Sequence, residues 1–179
     1  MTTLTGSDTR HETARGSATM WTTMDSPVGE LRIIARDGAI VAIEFSPFRG
    51  LSDGRPTGDR VDDDPLLRAA VDQLTAYFAR DLKEFDLPLA PVGSAFQQQV
   101  WAQLRRIDYG ETASYGEIAR RLGKSNAASR AVGLANGRNP IPIVIPCHRV
   151  IGADGSLTGY AGGMERKQLL LELEQDALF

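Results

Sequence analysis

The chain has one cysteine, Cys147, inside the run Ile143-Val144-Ile145-Pro146-Cys147-His148-Arg149-Val150. A thiol attacks only as thiolate, and an imidazole or guanidinium beside it favours that form. The run therefore brings a nucleophile, a base and a fixed cation into sequence contact, the makings of covalent catalysis. A solitary cysteine also excludes an intramolecular disulfide and any multi-cysteine zinc site. Its other reading is a small, inert core residue. Cys-His adjacency shifts the balance modestly, and the surrounding elements shift it further.

Those elements fall into two groups. Trp21 to Met24, Leu31 to Ala35 and Ile40 to Phe45 read as strands, separated by the turn cluster Asp25-Ser26-Pro27-Val28-Gly29 and the hairpin signal Asp37-Gly38. Ser46 to Asp64 is rich in Pro, Gly and Asp and reads as a loop. Asp64-Pro65 has the form of a helix cap followed by proline at the first helical position. Leu66, Leu67, Ala70, Val71, Leu74, Tyr77 and Phe78 then recur at helical spacing up to Arg80. Leu87-Pro88-Leu89-Ala90-Pro91 reads as a linker, so residues 20–90 form a small α+β domain.

Residues 91–179 are mostly helical. Ser94, with Gln97 three residues on, caps a helix carrying Phe96, Val100, Trp101 and Leu104 and ending at Tyr109-Gly110. Ser114, with Glu117, caps a short helix from Tyr115 to Leu122 that Gly123 closes. Ser125 or Asn126 opens the next, Ala127 to Asn136, closed by Gly137. Two short helices joined by a few residues containing Gly match a helix-turn-helix, though an ordinary helical hairpin has the same pattern. The second helix carries Arg130, its exit Arg138, and its small residues Ala127, Ala128, Ala131, Gly133 and Ala135 suit close approach to a DNA groove. Asn139-Pro140 breaks the chain before the apolar strand that delivers Cys147. Asp154-Gly155 is a second hairpin signal, Gly159 to Gly163 a flexible loop, and Met164 to Ala177 a terminal helix with Leu169, Leu170 and Leu173 inward.

Composition narrows the function. At 179 residues, 42% hydrophobic and 24% charged, the chain can bury a real core. No apolar stretch reaches the ~20 residues of a membrane span, and the N-terminus lacks a secretory apolar core. Residues 1–19 read as a disordered tail, with Asp8 and Glu12 against a transit peptide. A solitary thiol suits a reducing compartment, so a cytoplasmic location is expected. Net charge is −3, but residues 1–90 hold 10 basic and 15 acidic residues, whereas Arg105 to Arg149 holds 8 basic against 3 acidic. A charged run is ordinarily a solvated face. This one coincides with the helix pair, which favours nucleic acid.

Several segments together carry a family resemblance: Phe96-Gln97-Gln98-Gln99-Val100-Trp101, Ser114-Tyr115-Gly116-Glu117-Ile118-Ala119, Arg130-Ala131-Val132-Gly133, Asn139-Pro140-Ile141-Pro142-Ile143, Pro146-Cys147-His148-Arg149-Val150 and Gly159-Tyr160-Ala161-Gly162-Gly163. In order and spacing they resemble the O6-alkylguanine-DNA alkyltransferases across residues 94–174. The Ser26-Pro27-Val28-Gly29 turn and its strands fit more loosely. The resemblance implies an α+β protein with a small ribonuclease H-like N-terminal domain and a winged helix-turn-helix C-terminal domain. It implies irreversible, single-turnover transfer of an alkyl group from O6-alkylguanine, flipped out of double-stranded DNA, to Cys147. No cofactor is implied; some relatives hold a structural zinc in the N-terminal domain, but with no second cysteine and His11 the only other histidine, no metal is expected here. O4-alkylthymine stays open as a second lesion, and a monomer is the default.

The same resemblance distributes roles. His148 is the base, through a water, and Glu174 holds its other ring nitrogen, with Glu172 the competing carboxylate. Asn139 braces the turn before the cysteine run. Tyr115 donates to the guanine ring and crowds the target phosphate. The carbonyls of Cys147 and Val150 receive the exocyclic amine, and loop backbone at Tyr160 and Ala161 lines the O6 side. Many relatives carry a serine where this chain has Ala161, which leaves backbone N–H as the donor and bears on tolerance of bulky alkyl groups. Arg130 fills the vacated place in the base stack, and Ala131 and Gly133 line the DNA face. Three other readings compete: a lesion-binding protein without transfer, which would lack the cysteine; a winged-helix regulator with Cys147 as sensor; and a Cys-His hydrolase, which places its histidine far from the cysteine.

Overall fold

A computed structural model describes residues 18–175. The N-terminal tail with Asp8, His11 and Glu12, and the end of the terminal helix expected to reach Ala177, lie outside the described residues.

The first half is a four-stranded sheet covered by one helix. Strands β1 (Met20–Met24), β2 (Leu31–Arg36), β3 (Ala39–Phe45) and β4 (Asp59–Arg60) lie in the order β3-β2-β1-β4. The first three form an antiparallel meander, and β4 runs parallel to β1. Between Ile34 and Ala35 the register slips, because Ile34 pairs with Ala42 but Ala35 pairs with Ile40. That bulge twists the sheet locally. Leu31, Ile33, Ala35 and Ile43 join the main core, which also holds Leu67, Ala70, Leu74 and Tyr77 of α1 (Pro65–Phe78). The opposite face, with Ile34, Val41 and Ala42, is covered by Trp21 and Leu51. Helix α1 starts where the Asp64 carboxylate accepts from Leu67 N at 3.0 Å, with Pro65 spending no donor at the first position.

The expected linker is stitched to the sheet. Ile40 N donates to Pro88 O at 2.8 Å and Ala90 N donates to Ile40 O at 2.9 Å, along the outer edge of β3. Further along that edge Ile43 N donates to Pro140 O at 2.9 Å, tying the approach to the cysteine onto the first half.

The second half contains α2 (Ala95–Leu104), β5 (Ala113–Ser114), α3 (Tyr115–Arg121), α4 (Ser129–Gly137), β6 (Val150–Ile151) and α5 (Met164–Gln175). Reciprocal capping boxes start α2 (Ser94 with Gln97) and α3 (Ser114 with Glu117). Helices α3 and α4 form the helix-turn-helix, bridged by Arg120 Nη1 donating to Asn126 Oδ1 at 2.9 Å.

Five expectations need correction. The loop from Ser46 to Asp64 contains β4, whose exposed residues exist as a strand only through pairing with Met20 and Trp21. Helix α2 stops at Leu104 rather than near Tyr109, and turns carry the chain to Gly110 at φ 78°. The segment Asn126–Ala128 is a 3-10 turn leading into α4. Cys147–Arg149 is likewise one 3-10 turn, not a strand. Asp154-Gly155 turns the chain without a hairpin ladder, since β6 pairs with β5 in parallel.

Candidate active site

Cys147 is positioned by a strained turn that Asn139 holds shut. Ile143 has φ 73°, a left-handed conformation costly for a β-branched residue. The Asn139 side chain spans the turn: its Nδ2 donates to Ile145 O at 2.7 Å and its Oδ1 accepts from Ile141 N at 3.0 Å. Both Ile141 and Ile145 are buried, so these backbone groups have no water to turn to. Downstream, Asn136 Nδ2 donates to Cys147 O at 3.3 Å. The α4 helix thus reaches the cysteine backbone directly.

Behind the cysteine, Glu174 of α5 gathers donors from both halves of the chain. Its Oε1 accepts from Tyr77 Oη at 2.7 Å and lies 2.7 Å from His148 Nε2. Arg149 grips it with Nε to Oε2 and Nη2 to Oε1, both 2.9 Å, and Gly110 N donates to Oε2 at 3.3 Å. Burial alone would raise this carboxyl, but the hydrogen bonds and charges of His148 and Arg149 bring it down to about 2. Glu174 is therefore a carboxylate at neutral pH and can only accept.

That fixes the histidine. His148 is fully buried, and burial pushes its pKa below the usual value against the pull of Glu174. A neutral ring facing an acceptor-only carboxylate must carry its proton on Nε2, which leaves the lone pair on Nδ1. Nδ1 is buried and has no protein partner. That tautomer can accept a proton at Nδ1.

The thiol departs from the expectation that its neighbours favour thiolate. Cys147 is 3% exposed, and burial pushes it up to about 11, partly offset by the Asn139 side chain and Lys167. Arg149 does not help, because its guanidinium is turned to Glu174 and to Ile107 O, 2.6 Å away. A pKa near 11 leaves about one thiol in 10⁴ ionised at neutral pH. The resting site therefore holds a thiol and not a thiolate.

The remaining expected residues lie on α3, α4, β6 and the loop before α5. Tyr115 starts α3 and its hydroxyl donates to Thr158 O at 2.9 Å. Lys167, fully buried, donates from Nζ to Val150 O at 2.5 Å and to Thr158 O at 2.9 Å. The Val150 carbonyl accepts from Lys167, whereas the Cys147 carbonyl accepts twice, from Asn136 Nδ2 and from Val150 N. Tyr160 is buried with its hydroxyl unpartnered, whereas Ala161 is exposed. Ala127, Arg130, Ala131, Leu134 and Arg138 form one exposed stripe at helical spacing along α4 and its lead-in turn. Gly133 lies off that stripe, and a Cβ there would sit 3.7 Å from the Tyr115 ring.

Sequence reasoning missed four participants. Tyr77 reads as a core aromatic, and its hydroxyl finds Glu174 97 residues away. Lys167 and Asn136 read as an ordinary helix cation and a helix end. Leu134, 65% exposed on the stripe, was legible from its place in the same helical series as Arg130.

Comparison with known proteins names this arrangement. The sequence profile described as 6-O-methylguanine DNA methyltransferase, DNA binding domain, matches residues 95–176, and the profile of that enzyme's ribonuclease-like domain matches residues 19–91. The chain belongs to the 6-O-methylguanine DNA methyltransferase family. A methylated-DNA–protein-cysteine methyltransferase of Mycolicibacterium paratuberculosis is 51% identical over 158 residues, covering 86% of this chain and 90% of that protein. A protein of the same name from Methanosarcina acetivorans is 48% identical over 84% of this chain and 94% of its own length. The crystal structure of the Mycobacterium tuberculosis O6-methylguanine methyltransferase superposes with a TM-score of 0.79 at 48% identity, covering 89% of this chain and 94% of that one. The same M. tuberculosis protein solved in complex with DNA gives 0.77 at 48% identity, over 88% and 94%. In the terms of this family, the first half is the ribonuclease-like domain and the second the DNA-binding domain. Tyr77 is then a ribonuclease-like-domain residue that reaches the machinery of its neighbour.

Proposed function

We propose that the protein reverses DNA alkylation by moving the alkyl group of O6-alkylguanine in double-stranded DNA to its own Cys147, once per molecule. The observation that carries this is the neutral His148, with Nε2–H held by Glu174 and Nδ1 free, adjoining a solitary buried thiol beneath a basic helix-turn-helix. The names of the relatives, and the DNA complex of one of them, support the same reading.

The step balances without a cofactor. The thiol proton passes to His148 Nδ1, directly or through one water, and the imidazolium is stabilised by Glu174. The sulfur pair forms a bond to the alkyl carbon in line with the departing O6. The C–O pair returns to the guanine, whose ring accepts hydrogen bonds from loop backbone at Tyr160 and Ala161 and from the Tyr115 hydroxyl as it turns from Thr158 O, and the guanine anion then takes up one proton, equal to the one the thiol gave His148. The Val150 carbonyl receives the exocyclic amine, and the Cys147 carbonyl joins it by giving up one of its bonds from Asn136 Nδ2 and Val150 N. The thioether has no ionisable hydrogen, so the site does not reset.

Reaching an atom inside the duplex requires rotating the base out. Arg130, on the exposed stripe of α4, fills the vacated place, and Ala127 and Ala131 let the helix lie close to the backbone. We set the domain boundary between Ala90 and Pro91, take the active unit as a monomer in the cytoplasm, and leave O4-alkylthymine as a second lesion for direct assay. Among the described residues, no helix is long and apolar enough to cross a membrane.

Cys147→Ala tests the assignment. It abolishes transfer from an O6-methylguanine duplex and keeps lesion binding. Retained transfer shows that another residue is the acceptor.

A further inference from the structure

Resting on that reading, we infer that Arg166 and Phe45 are positioning residues through which the ribonuclease-like domain sets the loop over the reactive cysteine. One guanidinium joins three separate segments. Arg166 Nε donates to Val28 O at 2.7 Å, Nη2 to Ser46 O at 3.1 Å, and Nη1 to Gly162 O at 3.1 Å. The first two carbonyls belong to the turn before β2 and the segment after β3. The third belongs to the Gly159–Gly163 loop that carries Tyr160 and Ala161.

Phe45, the last residue of β3, completes the contact. The Arg166 guanidinium lies 5.0 Å from its ring centroid, and the Tyr160 ring meets it edge-on at 5.9 Å. A Cβ on Gly162 would sit 2.8 Å from both the Phe45 and Tyr160 rings. The loop therefore presses on the first domain at a place where only glycine fits. Its other end is fixed separately, where Tyr115 and Lys167 both donate to Thr158 O.

The arrangement separates two tasks. The DNA stripe lies on α4, whereas Arg166 faces the opposite domain through backbone carbonyls. Loss of the clamp lets Tyr160 to Gly162 drift, and with them the donors for the departing O6, while phosphate contacts persist. A fork that satisfies three carbonyls in fixed directions is particular to arginine, because a lysine head is a single point charge.

The test is single-turnover methyl transfer by the full chain from an O6-methylguanine duplex, with Arg166→Ala, Arg166→Lys and Phe45→Leu beside the unaltered protein. The expected result is a fall of about 10- to 100-fold in the maximal rate, the scale of a misplacement near 1 Å. Half-saturating DNA concentration stays within about twofold. Arg166→Lys restores little of the rate, and Phe45→Leu, which keeps an apolar side chain in place, shows the same rate-only loss. Maximal rates equal to that of the unaltered protein, or losses confined to DNA affinity, overturn the inference. Failure of the functional reading is distinct, because the unaltered protein would then transfer nothing.

Discussion

Glu174→Gln removes one charge and keeps the shape of the side chain. In the native site the carboxylate takes hydrogen bonds from Tyr77, His148, both faces of Arg149 and Gly110 N. The amide offers one acceptor oxygen and a donor group that must face another donor. With the amide nitrogen in the Oε1 place, the Arg149 side chain, 8% exposed, keeps Ile107 O and the amide oxygen but loses its Nη2 partner and its counter-charge. Breaking such a buried pair costs about 3–5 kcal/mol. For a chain of this size that is a fall of about 10 °C or more in Tm. The chemical effect is separate. To accept from the amide, His148 must move its proton from Nε2 to Nδ1, which deletes the lone pair that takes the thiol proton. Loss of a general base lowers the rate by about 10²- to 10⁴-fold. Quench-flow transfer from a methylated duplex, with calorimetry on the same samples, reads both. Tyr77→Phe separates them, because it loses one neutral donor and keeps the charge: about 1 kcal/mol of stability and a rate loss under about tenfold. A Glu174→Gln protein with a transfer rate within about threefold of the unaltered one would refute the tautomer argument.

Three further outcomes are expected. Stability should depend on pH on both sides of neutrality. Glu174 falls from its ordinary 4.5 to about 2 on folding, so its contribution of about 3 kcal/mol is complete above the ordinary value and lost as pH falls toward 2. His148 has the same sign below its ordinary 6.5, and Cys147, raised from 9.0 to about 11, has the opposite sign, losing stability as pH climbs through that window; urea midpoints that stay level from about pH 6 to pH 3 contradict this. Arg130→Ala should slow repair in duplex DNA while sparing reaction with a free O6-alkylguanine base, and equal loss on both would remove the base-stack role. Asn139→Ala should cost about 2–4 kcal/mol by stranding Ile145 O and Ile141 N, seen as a lower urea midpoint, and an unchanged midpoint would show that the turn at Ile143 holds without it.

Local signals in the sequence were the most legible. The caps at Asp64, Ser94 and Ser114 fall where a short polar side chain meets the third amide beyond it, a rule that needs no tertiary information. Strand β4 was hidden because Asp59 and Arg60 have no apolar pattern, and their pairing comes from β1, some 40 residues earlier in the chain. Cys147, His148 and Asn139 could be singled out by residue type and motif, and Glu174 by family spacing against Glu172. Arg149 was the instructive miss. Its sequence position beside the thiol suggested thiolate support, but the 3-10 turn directs it to Glu174, and burial then governs the thiol. The ribonuclease-like domain's part in the site, through Tyr77 and Arg166's carbonyl partners, is wholly tertiary and left no local trace.

The most direct test is the intact mass of the protein after incubation with one equivalent of O6-methylguanine duplex, followed by peptide mapping. The account predicts a stoichiometric gain of one methylene unit, located on Cys147, with unmodified guanine left in the DNA and no second round on fresh substrate. An unchanged mass with the lesion intact, or a methyl group on any other residue, contradicts it.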